Sequence, residues 1–392
     1  MATTSGCQTP RVADTGETRD GQPPLQPALA KESFAHIEPV ADKAMAYFYG
    51  RLFAVNPELR ALFPLAMDRQ RDRFYRALAR LVWSLDSPEE LTAFVRQLGR
   101  DHRRFGVTAR HYPEFMAALL ATVREFAGPT WSDELAAAWQ AALDMVTRTM
   151  LEAAGEDASN APSWWLAEVV AHQRRMDDLA VLTLRPDPAL TYLPGQYVSV
   201  QSALRPREWR SYSIANAPRP DGTITLHVRA VPAGVVSSAL VYHTAPGDTL
   251  LLGPATGAMT LQAGSGRDVL CVAGGTGLAP LKAIAEQAAA GGGPRVTLLF
   301  GARTEAGLYD LPALRQLAAS WPSLEVVTAV SGDPGFGGTQ GLLPDALRDR
   351  AEWKDREVYV CGPAAMVLRT EAVLAGLGVP AGRVHYDEPE PG

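Results

Sequence analysis

The sequence predicts a multidomain protein: an all-α part, then an antiparallel β part, then a doubly wound α/β part on a parallel sheet. Three observations predict it. The chain has 392 residues, and at roughly 100–200 residues per domain that length fits two or three domains. The hydrophobic rhythm changes near residues 155–162 and again near Arg267. Between those changes the apolar spacing is first helical, then alternating, then strand-length runs separated by helical segments.

The helical part runs from about Leu29 to Gly155. In "SFAHIEPVADKAMAYFYGRLFAVNPELRALF", "FYRALARLVWSL", "ELTAFVRQLG", "YPEFMAALLATVREFAG" and "DELAAAWQAALDMVTRTMLEAAG", apolar residues recur three and four apart. Asn56-Pro57, Ser87-Pro88 and Gly128-Pro129 punctuate them. At least five amphipathic helices and no strand are expected here. After "GEDASNAP" come "DLAVLTLRP", "GQYVSVQS", "RSYSIANA", "GTITLHVRAV" and "GDTLLLGP", short alternating or β-branched runs set apart by Gly, Pro and Asp. From Arg267 the runs "DVLCVAGG", "RVTLLFGA", "LEVVTAV" and "EVYVCGP" are continuously apolar, with helix-like "PLKAIAEQAAAG" and "AAMVLRTEAVLAGLG" among them. That alternation marks a parallel sheet covered on both faces. The expected division is a disordered arm over 1–29, a helical domain over 30–155, a β domain over 162–263 and an α/β domain over 267–392, with no internal repeat.

Composition bounds the function classes. Hydrophobic content of 47% with 20% charged residues fits a soluble globular chain. A net charge of −6 gives no reason to expect a nucleic-acid partner. The basic cluster "RQRDR" (Arg69 to Arg73) is interrupted by acid and reads as a solvated helix face. The three cysteines, Cys7, Cys271 and Cys361, are too widely spaced to hold an iron–sulfur cluster, and they favour a reducing compartment over a disulfide scaffold. The first 30 or so residues lack the apolar core of a signal peptide. No apolar run approaches the roughly 18–20 residues that span a bilayer. A cytoplasmic protein without a membrane partner is expected.

The α/β part carries the first functional signal. "VLCVAGGTGLAPLKAI" is a strand, a glycine turn and a helix. Gly274, Gly275 and Gly277 allow a tight turn and close backbone approach to phosphate, and Pro280 falls in the first helical turn, where its missing N–H costs nothing. The helix then offers free N–H groups to a pyrophosphate. Taken alone, such a turn is also a plain structural turn. A second strand ends in Cys361-Gly362-Pro363, and strand C-termini are where ligands bind in such sheets.

"GQYV", "RSYS", "GVVS", "AGGTGLAPL" and "CGP…M", in that order and spacing, resemble the ferredoxin-NADP reductase family of flavoenzymes over about residues 162–392. The resemblance implies FAD on a β-barrel and NADH or NADPH on the α/β domain. It implies that Arg210 pairs with FAD phosphate, that Tyr212 and Tyr197 pack along the flavin and ribityl, and that Ser213 hydrogen-bonds the flavin. Gly234, Val236 and Ser237 would hold the FAD pyrophosphate. Gly274, Gly275, Thr276, Gly277 and Pro280 would hold the phosphates of the nicotinamide cofactor. Cys361, Gly362 and Pro363 would approach the nicotinamide.

In the helical part, Leu91, Phe94, Val95, Leu98 and His102 share one helix face, while Asp101, Arg103 and Arg104 do not. A histidine so placed is either a satisfied core residue or an imidazole offered to an iron porphyrin in an apolar slot. "YFYGRLFAVNPELRALF" followed by "LGRDHRRFGVTARHYPEF" closely resembles the globin domain of bacterial flavohaemoglobins over about residues 30–155. That resemblance implies haem b with His102 as proximal iron ligand. It implies Phe63 flat on the porphyrin, Tyr49 donating its hydroxyl to iron-bound O₂, Gln70 beside it in the distal pocket, and Tyr112 behind the proximal histidine. His111 falls at a variable surface position and is not expected to bind metal.

A globin joined to a flavin reductase is the flavohaemoglobin architecture, and the resemblance spans nearly the whole chain. It implies a nitric oxide dioxygenase: NAD(P)H reduces FAD, FAD reduces the iron, and the oxygenated haem turns nitric oxide into nitrate. Two positions depart from the family. Its glutamate on the last globin helix, the partner of the tyrosine behind the proximal histidine, falls here on Ala154. Glu152 and Glu156 are two residues away, about 200° around a helix. At the C-terminus, where the family has an aromatic, "HYDEPEPG" offers Glu388 and Pro389. Two further readings therefore stand beside the first: an NAD(P)H oxidase or reductase using haem as a relay, and a haem-based O₂ or NO sensor. The residues leave NADH and NADPH both open. A monomer with small-molecule partners only (O₂, NO and NAD(P)H) is the expectation.

Overall fold

The computed structural model describes residues 25–262, 264–348 and 353–387. The chain divides into two compact units, Met1–Ala161 and Pro162–Gly392.

The first unit is helical: α1 Pro27–Ile37, α2 Ala41–Val55, α3 Asp68–Trp83, α4 Pro88–Arg103, α5 Tyr112–Ala127 and α6 Asp133–Ala158. Prolines stand in the first turns of α1, α4 and α5, where no intrahelical N–H is lost. Ser132 caps α6 by accepting the Leu135 N–H at 3.1 Å. The stripes predicted by spacing meet in one core, with Phe34, Phe48, Leu52, Val82, Val95 and Val123 fully buried. Gly99 decides one crossing: a Cβ there would sit 2.3 Å from the Met150 carbonyl oxygen, so only glycine lets α4 lie this close to α6. Ion pairs Arg96–Glu156 and Arg103–Asp157 tie the same two helices together nearer the C-terminus of α6.

Two boundaries differ from expectation. Helix α1 begins at Pro27, inside the stretch read as an arm, and residues 1–24 of that arm lie outside the described residues. Helix α6 continues through Gly155 to Ala158, because one glycine costs a helix only about 1 kcal/mol.

The second unit holds two sheets. The first contains β1 Trp165–Met176, β2 Leu179–Asp187, β3 Tyr197–Ser202, β4 Arg210–Ser213, β5 Ile224–Arg229 and, after helix α7 Val235–Tyr242, β6 Thr249–Leu252. All pairings are antiparallel, in the order β4-β3-β6-β1-β2-β5. A bridge between Ile214 and Leu226, just past β4 and within β5, draws the two edges together, so the sheet curls toward a barrel. Strand β1 was not among the runs read from sequence. Register shifts at Val169/Ala171 and Arg174/Met176 break its two-residue period, and its far half is charged.

The second sheet is parallel throughout. It contains β7 Val269–Gly274, β8 Val296–Ala302, β9 Leu324–Val330, β10 Thr339–Gln340, β11 Glu357–Cys361 and β12 Val384–His385, in the order β10-β9-β8-β7-β11-β12. The helices are α8 Leu278–Ala290, α9 Leu311–Ser320, the single turn α10 Leu343–Ala346 and α11 Ala364–Gly376. From β7 the chain winds outward through β8 to β10, then returns to place β11 on the other side of β7. Strand order therefore reverses between β7 and β11, and the crevice at their C-terminal ends is where such sheets take ligands. Among the described residues, no helix is long and apolar enough to cross a membrane.

Candidate functional site

In the helical unit, α4 delivers His102 through the face predicted for it. Leu91 and Val95 are buried, and Phe94 and Leu98 pack against the core. The imidazole Nδ1 lies 2.7 Å from the Leu98 carbonyl oxygen. A carbonyl only accepts, so Nδ1 carries the proton and donates. The Nε2 lone pair is then free, the tautomer that a metal requires. His111 is used otherwise: its Nδ1 accepts the Thr108 N–H at 3.1 Å and helps start the turn before α5.

Tyr49 on α2 is almost fully buried. Four phenylalanines surround its ring: Phe48 at 4.8 Å, Phe53 at 5.7 Å, Phe63 at 5.5 Å and Phe74 at 5.9 Å between centroids. The Gln70 amide donates to the Tyr49 hydroxyl at 3.1 Å. The phenol therefore accepts one hydrogen bond and keeps its own hydrogen to donate. Burial holds its pKa well above the usual tyrosine range, so it stays a neutral donor. Phe63 sits in a loop that Arg60 ties down: Arg60 donates to the carbonyls of Phe63 at 3.1 Å and Leu65 at 2.9 Å, and stacks over Phe53.

Tyr112 opens α5 and is buried, with burial alone raising its pKa. It lines a groove of about 460 Å³ with Met116, Leu120, Thr147 and Leu151. The carboxylates nearest Ala154 in sequence are committed elsewhere or exposed: Glu156 pairs with Arg96, and Glu152 faces solvent.

In the second unit, the register of β3 and β4 sets Tyr197 opposite Ser213 and Tyr212 opposite Val198. Tyr197 and Ser213 therefore share one face of the ribbon, and Arg210 and Tyr212 the other. A single flat ligand cannot meet all four from one side. Strand β4 is the sheet edge, where a ligand can wrap around. Arg210 donates to the Trp209 carbonyl at 2.7 Å and lies 3.6 Å from Glu208. Burial raises the Tyr212 pKa and keeps it protonated. Gly234 precedes α7, and a Cβ there would meet Ser237 Oγ at 2.5 Å. Ser237 donates to the Gly234 carbonyl at 3.1 Å. Val236 is fully buried, so only its backbone N–H can serve a ligand.

The glycine turn and the Cys-Gly-Pro segment meet at the switch point. A Cβ on Gly277 would lie 2.2 Å from the Cys361 carbonyl oxygen; one on Gly274 would meet Met366 Sδ at 2.5 Å and Pro363 Cδ at 3.1 Å; one on Gly362 would meet Gly274 Cα at 3.1 Å. Gly275 takes φ +56°, a left-handed conformation that favours glycine. Thr276 lies within the turn, and Pro280 is buried in the first turn of α8. Bare backbone is thus held open at the C-termini of β7 and β11, a cradle suited to a dinucleotide. Burial and the nearby Asp387 carboxylate push the Cys361 thiol up to about 12, so it is not a nucleophile at neutral pH.

Sequence reasoning missed several of these groups. Asp387 accepts the backbone N–H groups of Ala258 and Met259, and a Cβ on Gly257 would lie 3.2 Å from the Tyr197 ring and 3.3 Å from Asp387 Oδ2. Tyr197, Asp387 and Cys361 thus converge where the barrel and the nucleotide domain meet. Phe74 had a sequence signal, standing one turn after Gln70 on α3. Arg60 and Asp387 had none: bonds to backbone carbonyls mark no residue type at Phe63 and Leu65, and only the fold brings the partners of Asp387 near. Glu388 and Pro389 lie outside the described residues.

An all-α unit offering one half-buried imidazole at the end of an apolar helix face, joined to an antiparallel barrel and a dinucleotide domain, defines a globin linked to an oxidoreductase. The family comparisons agree. The globin family matches residues 46–150, the oxidoreductase FAD-binding domain residues 167–260, and the oxidoreductase NAD-binding domain residues 271–371. The flavohemoprotein of Bordetella pertussis is 30% identical over 390 residues, covering 92% of this chain and 96% of that protein. The chain belongs to the flavohemoprotein family. The crystal structure of flavohemoglobin from Malassezia yamatoensis, with bound FAD and heme, superposes with a TM-score of 0.72 at 17% identity over 92% of this chain and 98% of that one, a likeness of fold. The ferredoxin reductase of carbazole 1,9a-dioxygenase is 32% identical with a TM-score of 0.54, covering 58% of this chain and 70% of that one. Haem, FAD and a nicotinamide dinucleotide are the cofactors of this oxidoreductase.

Proposed function

We propose that the chain is an NAD(P)H-dependent nitric oxide dioxygenase, with the overall reaction 2 NO + 2 O₂ + NAD(P)H → 2 NO₃⁻ + NAD(P)⁺ + H⁺. The observation that carries the reading is the Tyr49 phenol: neutral, fixed by Gln70 at 3.1 Å, and ringed by phenylalanine. A lone hydrogen-bond donor in an apolar pocket stabilises developing negative charge on oxygen far more than it would in water.

When bound, haem supplies an iron centre for O₂ and single electrons, and FAD converts the hydride of NAD(P)H into those single electrons. The residues do the rest. His102 Nε2 would hold the iron, and the Leu98 carbonyl, accepting from Nδ1, would fix the ring's orientation. Phe63 packs on the porphyrin, held by Arg60. Tyr49 would donate to the bound oxygen, with Gln70 holding its hydroxyl in place. Tyr112 backs the proximal side. In the second unit Arg210 would balance FAD phosphate, and Tyr197, Tyr212 and Ser213 would line the flavin from the two faces of the β4 edge. The backbone from Gly234 to Ser237 takes the FAD pyrophosphate. The cradle from Gly274 to Pro280 takes the nicotinamide nucleotide's phosphates. Cys361, Gly362 and Pro363 bound the nicotinamide.

One observation favours a second reading, an NAD(P)H oxidase or reductase using haem as a relay. Only a backbone carbonyl accepts from the proximal imidazole, and among the described residues no carboxylate bonds to Tyr112, since Asp144, which shares its groove, accepts from the Gln140 amide at 2.7 Å. Such a histidine is a weaker donor to iron. An NO electrode on the haem- and FAD-loaded full chain separates the two, with NADH and then NADPH in air. Cyanide-sensitive NO loss, stoichiometric with nitrate, is expected. Steady NAD(P)H oxidation with no NO loss would overturn the dioxygenase in favour of the second reading.

A further inference from the structure

The junction between the flavin barrel and the nucleotide domain is mostly apolar. Leu179, Val181 and Met259 belong to one cluster with Val269, Leu281, Ile284 and Leu308 of the nucleotide domain. Apolar burial has no direction, so such a face resists separation more than it resists sliding. Three ionisable side chains that the proposed chemistry does not use are buried in it, and a half-buried lysine joins them.

His227 on β5 and Tyr309, between β8 and α9, are both buried, with His227 Nδ1 2.7 Å from the Tyr309 hydroxyl. Asp310, next in the chain, is buried and pairs with Lys282 on α8 at 2.6 Å. His227 Nε2 has no hydrogen-bond partner among the described residues and lies 4.0 Å from the Asp310 carboxylate. That carboxylate favours the proton on Nε2, so Nδ1 accepts and Tyr309 donates. An orphaned N–H in an apolar interior is a net cost, and the arrangement does not serve stability best. Its directional bonds fix a geometry instead.

The geometry concerns two binding edges. Strand β5, which carries His227, runs on into the turn at Gly234 and α7. Tyr309 follows the C-terminal end of β8, on the sheet edge that bears the glycine turn. Lys282, the ion-pair partner of the neighbouring Asp310, stands on the helix that the turn begins. We propose that Tyr309 and His227 are positioning residues for hydride transfer: their hydrogen bond fixes the barrel against the nucleotide domain and so sets the reach from nicotinamide to flavin. The inference rests on the reductase reading of this unit and not on the dioxygenase activity.

The test is anaerobic stopped-flow reduction of the flavin in the full-length holoprotein, with protiated and deuterated nicotinamide nucleotide. Tyr309→Phe removes one oxygen and conserves shape. It is expected to slow flavin reduction at saturating nucleotide by about tenfold. KM and FAD content should stay near the parent's, and the isotope effect should depend more steeply on temperature, the mark of a longer transfer distance. His227→Asn keeps an acceptor near the Nδ1 position and should recover much of the rate that His227→Leu loses. Tyr309→Phe with His227→Leu should be no slower than either alone, since one bond is lost once. A lower melting temperature with an unchanged reduction rate and isotope effect would overturn the proposal. So would additive losses in the double variant. Should His227→Leu fail to fold, Tyr309→Phe alone decides. The readout stops at the flavin, so it stands whatever happens to nitric oxide at the haem.

Discussion

Gly277→Ala probes the nucleotide cradle most sharply. The new methyl would sit 2.2 Å from the Cys361 carbonyl oxygen, 2.4 Å from its carbonyl carbon and 2.7 Å from the Gly362 nitrogen. All three are backbone atoms, so no side chain can rotate away. Cys361 is paired with Ala273 in the β7–β11 ladder, and its carbonyl cannot retreat alone. Relief needs about 1 Å of separation between the glycine turn and the end of β11. Overpacking of this kind costs about 3 kcal/mol. In a unit of this size that lowers the melting temperature by about 6–12 °C. The same separation widens the cradle, so KM for NAD(P)H should rise at least about tenfold, a loss of about 1.4 kcal/mol in binding. Differential scanning fluorimetry and steady-state ferricyanide reduction read the two effects. Gly376→Ala is the control, because a Cβ there meets nothing within 4 Å, and it should be neutral or slightly stabilising. If Gly277→Ala melts with the parent and reduces ferricyanide with an unchanged KM, the close approach of turn and strand is not what holds the nucleotide.

Three further outcomes are expected. Arg60→Ala frees the carbonyls of Phe63 and Leu65, should cost the helical unit about 1 kcal/mol, and should broaden the C–O stretch of the haem–CO complex as Phe63 and Tyr49 lose their fixed places. An unchanged band would deny Arg60 that role. Ala154→Glu places a carboxylate one turn beyond Leu151, on the α6 face that meets Tyr112, and should raise the iron–histidine stretching frequency of the ferrous protein and lower the iron's reduction potential; no change in either would show that the position does not reach the proximal imidazole. His227 supplies a pH dependence. Burial depresses its pKa from 6.5 to about 3, so below about pH 6.5 the unfolded chain binds a proton that the fold refuses. Stability attributable to it therefore falls as the pH drops, by about 1.4 kcal/mol between about pH 7.5 and 5.5. Denaturant melts of the parent and His227→Leu at both pH values should differ in slope by that amount, and equal slopes would remove the attribution.

The fold was legible wherever burial imposes one clean period. The stripe ending in His102, the continuous apolar runs of β7, β8 and β11, and the turn at Gly274 to Gly277 could all be read from spacing alone. Strand β1 could not, because two register shifts break its alternation and its second half is charged. Site residues divide in the same way. Those that present backbone to a ligand leave glycine and proline in the sequence. Groups that act through a distant partner leave nothing: His227 and Tyr309 are 82 residues apart, and Asp387 is held by the N–H groups of Ala258 and Met259. Composition at those positions is ordinary, and only the packing of barrel on nucleotide domain makes them neighbours.

The proximal side shows why a departure from a motif has to be weighed against the charges around it. Sequence could count that Glu152 and Glu156 flank Ala154 and lie about 200° around the helix from it. It could not show that Glu156 is already paired with Arg96 and Asp157 with Arg103. Those pairs join α4 to α6 beside the close crossing at Gly99 and Met150. For Glu156 or Asp157 to swing toward Tyr112, each would have to abandon a guanidinium and loosen the helix that carries His102. Such a pair contributes little to stability where water reaches it, up to about 1 kcal/mol, but it fixes where the negative charge sits. Glu156 and Asp157 thus brace the helix bearing the imidazole. With His102 as the proposed iron ligand, the Leu98 carbonyl is the acceptor that would set its electron-donating strength.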